Sequence, residues 1–242
     1  MVYLADDRII SFRGDLPRNW ENIVLPIDKP GGMTSFDIIR NLRRILGIRK
    51  IGHAGTLDPM ATGLLVCLIG RATKRMNEFL EESKTYTGVI RLGESTPSFD
   101  TDTEIIERRP ITGVSRIDIE AVCRSFLGTI IQSTPMYSAV KVGGERLYRK
   151  ARRGETVKTP LRVVTIESFG VGTLQGSDLD FELRCSTGTY VRAIASEFGE
   201  KLGVGAHLVE LRRIRIGDLS VENAWSIEAL ARSIQKAGER SV

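Results

Sequence analysis

The chain has 242 residues, 41% hydrophobic and 27% charged, with a formal net charge of +5, a composition that supports a large buried core. No apolar run approaches the roughly 20 residues that span a bilayer, and the first 20 residues alternate charged and apolar side chains without a signal-peptide core, so a cytoplasmic protein is expected. Cys67, Cys123 and Cys185 lie far apart in apolar patterns, His53 and His207 are the only histidines, and there is no Walker or dinucleotide fingerprint; this inventory argues against disulfides, a metal site and an organic cofactor.

Residues 1–22 read as a leader of opaque role. Residues 23–27 read as a short strand, ending in the loop Asp28-Lys29-Pro30-Gly31-Gly32. Thr34 and Ser35 can cap a helix, with Asp37 in its first turn, Ile38, Ile39, Leu42, Ile45 and Leu46 at helical spacing, and Gly47 as its stop. Residues 52–59 read as a glycine-rich turn that holds Asp58, biased towards extended dihedrals by Pro59. An apolar strand follows at residues 64–69. Ala72, Met76, Phe79 and Leu80 mark a second helix, and residues 84–92 a strand. On that strand Tyr86 shares a face with Gly88, which would leave one side of its ring open to stack a nucleobase.

Residues 94–102 read as a polar loop. Ser115 and Asp118 form a capping-box pattern before a helix. A short strand at residues 128–131 and a long connection over 132–144 lead to a basic helix at 145–153. Strands are expected at 162–171, at 179–185 with clean alternation, and at 208–216. A helix opens near Thr189, and a last helix capped by Ser226 runs to about residue 234, with a frayed tail. Consecutive strands outnumber helices. That pattern argues for an α+β fold with a mixed, mostly antiparallel sheet flanked by helices, in one domain with insertions.

Three basic clusters suggest a polyanion tracked across a surface: Arg40, Arg43, Arg44, Arg49 and Lys50; Lys141, Arg146, Arg149, Lys150, Arg152 and Arg153; and Arg212, Arg213 and Arg215. Solvated helix faces account for some of these residues. Arg192 falls in the first turn of a helix, where the macrodipole disfavours a cation by about 0.3–1 kcal/mol. Such a violation often marks a site, and a carboxylate such as Asp58 would suit the guanidinium as a partner.

The stretch His53-Ala54-Gly55-Thr56-Leu57-Asp58-Pro59-Met60-Ala61-Thr62-Gly63 resembles the catalytic-aspartate motif of the tRNA pseudouridine-55 synthases of the TruB type. The likeness extends in order through Asp28-Lys29-Pro30-Gly31, Lys84-Thr85-Tyr86, Pro135-Met136-Tyr137-Ser138-Ala139-Val140-Lys141, Gly144-Glu145-Arg146-Leu147-Tyr148, Gly188-Thr189-Tyr190-Val191-Arg192 and Leu211-Arg212-Arg213. The resemblance implies a pseudouridine synthase catalytic fold over residues 23–220. It further implies a cofactor-free isomerase that flips uridine 55 out of the tRNA T-loop, with the T-stem-loop as partner and no membrane or obligate protein partner, acting as a monomer.

The same resemblance implies roles. Asp58 would be the nucleophile, adding at the sugar or at C6 or assisting departure of the base. Tyr190 would lie near C5 as a candidate base, and Arg192 would pair with Asp58. Tyr86 would stack on the uracil, His53 would fill the space that the flipped nucleotide leaves, and Leu211 would line the pocket. Lys29 and Lys141 would support the site or the RNA backbone. Two departures stand out. Residues 221–242 form a short helix and tail in place of a full C-terminal RNA-binding domain of the PUA type, and Thr103 stands where the family often has glycine. A non-catalytic RNA-folding module and a guide-RNA-dependent synthase are the competing readings.

Overall fold

The computed structural model describes residues 2–4, 8–14, 16–17 and 19–239. The chain divides into two compact units, one of Met1–Tyr86 with Arg212–Val242 and the other of Thr87–Leu211. Its elements run β1 (Val2–Leu4), β2 (Arg8–Ile10), β3 (Asn22–Lys29), α1 (Ser35–Leu46), β4 (Ile51–Ala54), β5 (Thr62–Gly70), a 3-10 turn (Arg71–Arg75), α2 (Met76–Glu81) and β6 (Lys84–Leu92). Next come β7 (Glu94–Ser95), β8 (Glu107–Arg108), α3 (Arg116–Ser125), β9 (Gly128–Ser133), β10 (Lys141–Val142), β11 (Glu145–Arg146) and α4 (Leu147–Arg152). The chain closes with β12 (Leu161–Gln175), β13 (Asp178–Cys185), α5 (Val191–Lys201), β14 (Ala206–Ile216), β15 (Leu219–Ser220) and α6 (Ile227–Glu239).

In the first unit the strand order is β1-β2-β3-β5, and the end of β14 pairs beside β5. The β5–β14 pairing is parallel, Arg212 opposite Thr62 and Arg213 opposite Gly63, and so is β2–β3; β3–β5 and β4–β5 are antiparallel. β5 is central and buried on both faces, which explains its unbroken apolar run. Leu65, Cys67 and Ile69 pack with Ile38, Ile39 and Leu42 of α1 and Leu230 of α6; Leu64, Val66 and Leu68 pack with Phe79 and Ile216. α1 starts where expected. Thr34 and Asp37 form a reciprocal capping box, and Gly47 ends the helix in the left-handed region.

The second unit has the order β6-β13-β12-β9, with β12 antiparallel to both neighbours. β13 alternates as expected, with Leu179, Phe181, Leu183 and Cys185 buried. Phe126, Phe169, Phe181 and Phe198 form one aromatic cluster with centroid spacings of 5.7–6.4 Å. The three cysteines are free and buried.

Several expectations need correction. β4 runs through Gly52 and His53, which the glycine content had assigned to a turn. A Cβ at Gly52 would approach the flexible terminal methyl of Met76 to 2.9 Å. The basic helix is shorter than expected, since residues 145–146 form β11 and hairpin with β10. α6 continues past residue 234 to Glu239, where Gln235 bonds the Glu239 carboxylate. In the leader, β1 and β2 extend the sheet beside β3, while residues 1, 5–7, 15 and 18 lie outside the described part. Arg213 is 1% exposed, so it does not belong to a surface cluster. The Gly88 position is also filled. A Cβ there would meet the Glu210 carbonyl at 2.1 Å and Phe181 at 2.9 Å, so the glycine admits neighbouring strands rather than opening a face of Tyr86.

Candidate active site

The first unit concentrates its anchoring on the segment from Gly55 to Gly63. Asp58 is half-exposed and non-helical, as Pro59 requires, while the backbone around it is held from several elements. Ser35, at the start of α1, donates to the Leu57 carbonyl (3.2 Å) and accepts from the Leu57 N–H (2.9 Å). The Asp58 carbonyl accepts from Ala61 N–H, and the Pro59 carbonyl accepts from Gly32 N–H. Arg213 donates to the carbonyls of Leu64 (2.7 Å) and Gly55 (2.9 Å). Gly55 and Gly63 both have positive φ, 84° and 99°, and a Cβ on Gly63 would lie 2.3 Å from the Arg213 carbonyl. Glycine is therefore required at 63 by both the dihedral and the strand contact.

Lys29, fully buried at the end of β3, donates from Nζ to the carbonyls of Pro30 (2.9 Å), Met33 (2.7 Å) and Pro59 (3.3 Å). Burial lowers its ammonium below the ordinary lysine value, and the Asp58 charge opposes that shift. Lys29 is thus a brace under the Asp58 segment. Arg212 makes a two-pronged ion pair with Asp28, at 3.0 and 2.8 Å, on the same strand end. His53 sits in β4 opposite Cys67. Burial, with the Arg213 charge second, lowers its imidazole below the ordinary 6.5, so the ring is neutral at pH 7. Tyr86, 8% exposed, lies in β6 and ends the first stretch of this unit.

The second unit holds Tyr190, Arg192, Leu211 and Lys141. Tyr190 is the residue before α5, and Gln132 of β9 grips its backbone on both sides. The Gln132 side chain accepts from Tyr190 N–H (2.8 Å) and donates to its carbonyl (3.2 Å). Arg192 is 4% exposed. Its guanidinium donates to the carbonyls of Ser98 (3.0 Å) and Tyr137 (2.7 Å), and Nε lies 3.8 Å from the Asp100 carboxylate. Leu211 is 8% exposed in β14, and Lys141 is exposed in β10.

Sequence reading passed over the loop that receives Arg192. Phe99 carries φ 67°, the one non-glycine residue with positive φ among the described residues, a strain of about 1–3 kcal/mol. Its carbonyl accepts from Leu208 N–H, and Thr96 and Ser98 hydroxyls donate to the Asp100 carbonyl. Thr103 contributes as well: its hydroxyl accepts from Ser98 N–H (3.1 Å) and pairs with the Ser98 hydroxyl (2.8 Å). A glycine there could make neither bond. Asp100 and Ser98 had no signal beyond the polarity of the loop, since their partner is distant in sequence.

The basic clusters are uneven. Arg153 is paired with Glu145 and Glu155, and Lys150 lies near both. Lys141, Arg146, Arg149 and Arg152 remain exposed. Among the described residues no group of His, Cys, Asp and Glu could hold a metal, and no helix is long and apolar enough to cross a membrane.

Comparisons with known proteins converge with this geometry. Residues 43–191 match the family model of the TruB family pseudouridylate synthase N-terminal domain, and residues 192–241 match the tRNA pseudouridylate synthase B C-terminal domain. The chain is 44% identical over 216 residues to tRNA pseudouridine synthase B of Thermobifida fusca, covering 86% of this chain and 74% of that one. It is 42% identical over 214 residues to the same-named protein of Opitutus terrae, covering 88% and 89%. Among solved structures, a Cbf5-Nop10-Gar1 complex matches with TM-score 0.71 and 28% identity, and an archaeal box H/ACA Nop10-Cbf5 complex with TM-score 0.68 and 27% identity. Each covers 92% of this chain, which spans 57% of the matched chain. By the family model and these identities, the chain belongs to the TruB family of pseudouridylate synthases.

Proposed function

We propose that this chain isomerises uridine 55 of the tRNA T-loop to pseudouridine, with Asp58 as the nucleophile. The observation that carries the reading is Asp58 itself: a half-exposed carboxylate on a segment clamped by Ser35, Lys29, Gly32 and Arg213, within the region matched by the TruB N-terminal family model, in a chain whose relatives are named tRNA pseudouridine synthase B. A rigid mount of this kind suits covalent catalysis, because a preset attack geometry removes an entropic part of the barrier.

The resemblance to the TruB type suggests the remaining roles. The target nucleotide leaves its stack at a cost of a few kcal/mol, offset by phosphate contacts to Lys141, Arg146, Arg149 and Arg152 and by stacking on Tyr86. His53, neutral at pH 7, takes the vacated space without adding charge. Asp58 assists cleavage of N1–C1′ by adding at the sugar or at C6. The uracil turns, C5 bonds to C1′, the Asp58 carboxylate departs from its adduct, Tyr190 takes the C5 proton, and N1, which kept the electron pair of the broken bond, gains a proton. The resemblance makes Arg192 the counterion of Asp58 and Leu211 a lining residue; within its own unit the Arg192 guanidinium is oriented by Ser98, Tyr137 and Asp100. Lys29 acts as a brace. No redox change or net hydrolysis occurs, so no cofactor is required.

The protein acts as a cytoplasmic monomer without guide RNA or protein partner. The purified chain incubated with unmodified tRNA alone should form pseudouridine at position 55, mapped by site-specific modification analysis. Tight tRNA binding without isomerisation would favour the RNA-folding module. Isomerisation only on addition of a guide RNA and partner proteins would favour the guide-dependent reading.

A further inference from the structure

Arg162 lies outside every basic cluster visible in the sequence, yet it faces Tyr190. It stands near the start of β12, directly opposite Gln132 of β9, the residue whose amide grips the Tyr190 backbone. Along β12 the next residues on its face, Val164 and Ile166, are buried at 2% and 1%, while Leu161 and Val163 on the other face are 66% and 72% exposed. Arg162 is therefore the half-buried end of an inward-facing row. Its guanidinium carbon lies 5.6 Å from the centroid of the Tyr190 ring. A cross-strand pair thus converges on one residue, Gln132 on its backbone and Arg162 on its phenol ring.

The two arginines near that ring differ in what their donors do. Arg192 also lies over Tyr190, at 5.7 Å, but donates to two carbonyls and approaches Asp100. Among the described residues, Arg162 has neither a carboxylate within ion-pair distance nor a carbonyl acceptor; its guanidinium meets the Tyr190 ring instead. Gly188, with φ 82°, lies beside it, its Cβ position 3.6 Å from an Arg162 terminal nitrogen, an ordinary contact distance. A guanidinium placed over the ring at 5.6 Å, with its N–H groups not engaged by a carboxylate or carbonyl, can offer their fork to a phosphate.

We propose that Arg162 is a phosphate-binding residue of the site, receiving an RNA phosphodiester next to the nucleotide presented to Tyr190. The ring contact orients the guanidinium, and the charge on the phosphate takes the place of a carboxylate that none of the described residues supplies. The inference rests on the RNA-modifying reading above and adds to it a specific anchor beside Tyr190.

The test compares wild type, R162Q and R162K on a T-stem-loop RNA carrying 5-tritiated uridine, reading affinity against salt and tritium release at saturating RNA. R162Q should weaken binding about tenfold, as loss of a charge-assisted hydrogen bond would. It should also lower the steepness of the log–log salt dependence by about 0.7, one contact on a single strand. Release at saturating RNA should stay within about threefold of wild type, and R162K should recover most of the affinity and the salt slope. A methylphosphonate at the contacted phosphate should weaken wild type and leave R162Q unaffected. Unchanged affinity and slope in R162Q would overturn the proposal. If only the rate at saturation fell, Arg162 would be a prop for the Tyr190 ring and no phosphate ligand. Failure of wild type to release tritium would refute the proposed activity, while the slope difference would still decide the role of Arg162.

Discussion

Substituting Ser35 by Ala isolates the clamp behind Asp58. Ser35 and Leu57 are 1% and 3% exposed, and one hydroxyl serves both the N–H and the C=O of Leu57. Alanine leaves both groups without a partner where water has little access. Each such loss costs about 1–3 kcal/mol. Against this, alanine is the better helix former by about 0.5 kcal/mol in a helix interior, and less at the first residue of α1. The hydrogen-bond loss wins, for a net destabilisation of about 2–5 kcal/mol. For a chain of this size that lowers Tm by roughly 4–20 °C. Because Asp58 follows Leu57 directly, its carboxylate should shift, and a displacement of about 1 Å can cost on the order of a hundredfold in rate. Differential scanning calorimetry and single-turnover tritium release at saturating RNA read the two effects, with RNA affinity held within about threefold. A variant with wild-type Tm would refute the energetic account of the clamp. A destabilised variant with wild-type release would show that Ser35 does not set the position of Asp58.

Three further outcomes follow from the same structure. Gly63→Ala combines a left-handed dihedral with a 2.3 Å contact to the Arg213 carbonyl, so chemical denaturation should show a loss of about 2–5 kcal/mol; a loss below about 1 kcal/mol would contradict the strand contact. Burial drives the Cys67 thiol far above its ordinary value and the Cys123 thiol up to about 11. A thiol reagent at pH 8 should therefore label Cys67 and Cys123 in the native protein only as fast as it unfolds, and rapid native labelling would argue against that burial. His53 is held below its ordinary 6.5, so below about pH 6.5 the unfolded chain binds a proton that the folded one excludes, and stability falls as pH falls. Denaturant melts at pH 7.5 and 5.5 should show a smaller loss for His53→Gln than for wild type; equal losses would contradict the assignment.

The parts of the fold written in local chemistry were readable. The Thr34–Asp37 box and Gly47 fixed both ends of α1, the apolar run marked β5, and the alternation from Leu179 to Cys185 marked β13. Arg192 was visible as a cation in a first helical turn, and Asp58 as a carboxylate between Gly55 and Pro59. What stayed hidden depends on distant chain. β4 is a strand because β5 pairs with it, despite Gly52 and His53. Arg213 looked like a surface cation, but two carbonyls compensate its burial. Gly88 looked like an opening beside Tyr86, and only the neighbouring strands show that the space is taken. Asp100, Gln132 and Arg162 carry no motif that a single sequence reveals, since their partners lie on other elements.

The central claim is that the carboxylate of Asp58 performs the chemistry while the surrounding clamp only holds it. Asp58→Asn keeps the shape and removes the nucleophile. The most direct measurement is single-turnover tritium release from 5-tritiated uridine tRNA by that variant, with tRNA affinity measured in parallel. Release should fall to the no-enzyme background with affinity within about threefold of wild type. Release at the wild-type rate with intact binding would contradict the account.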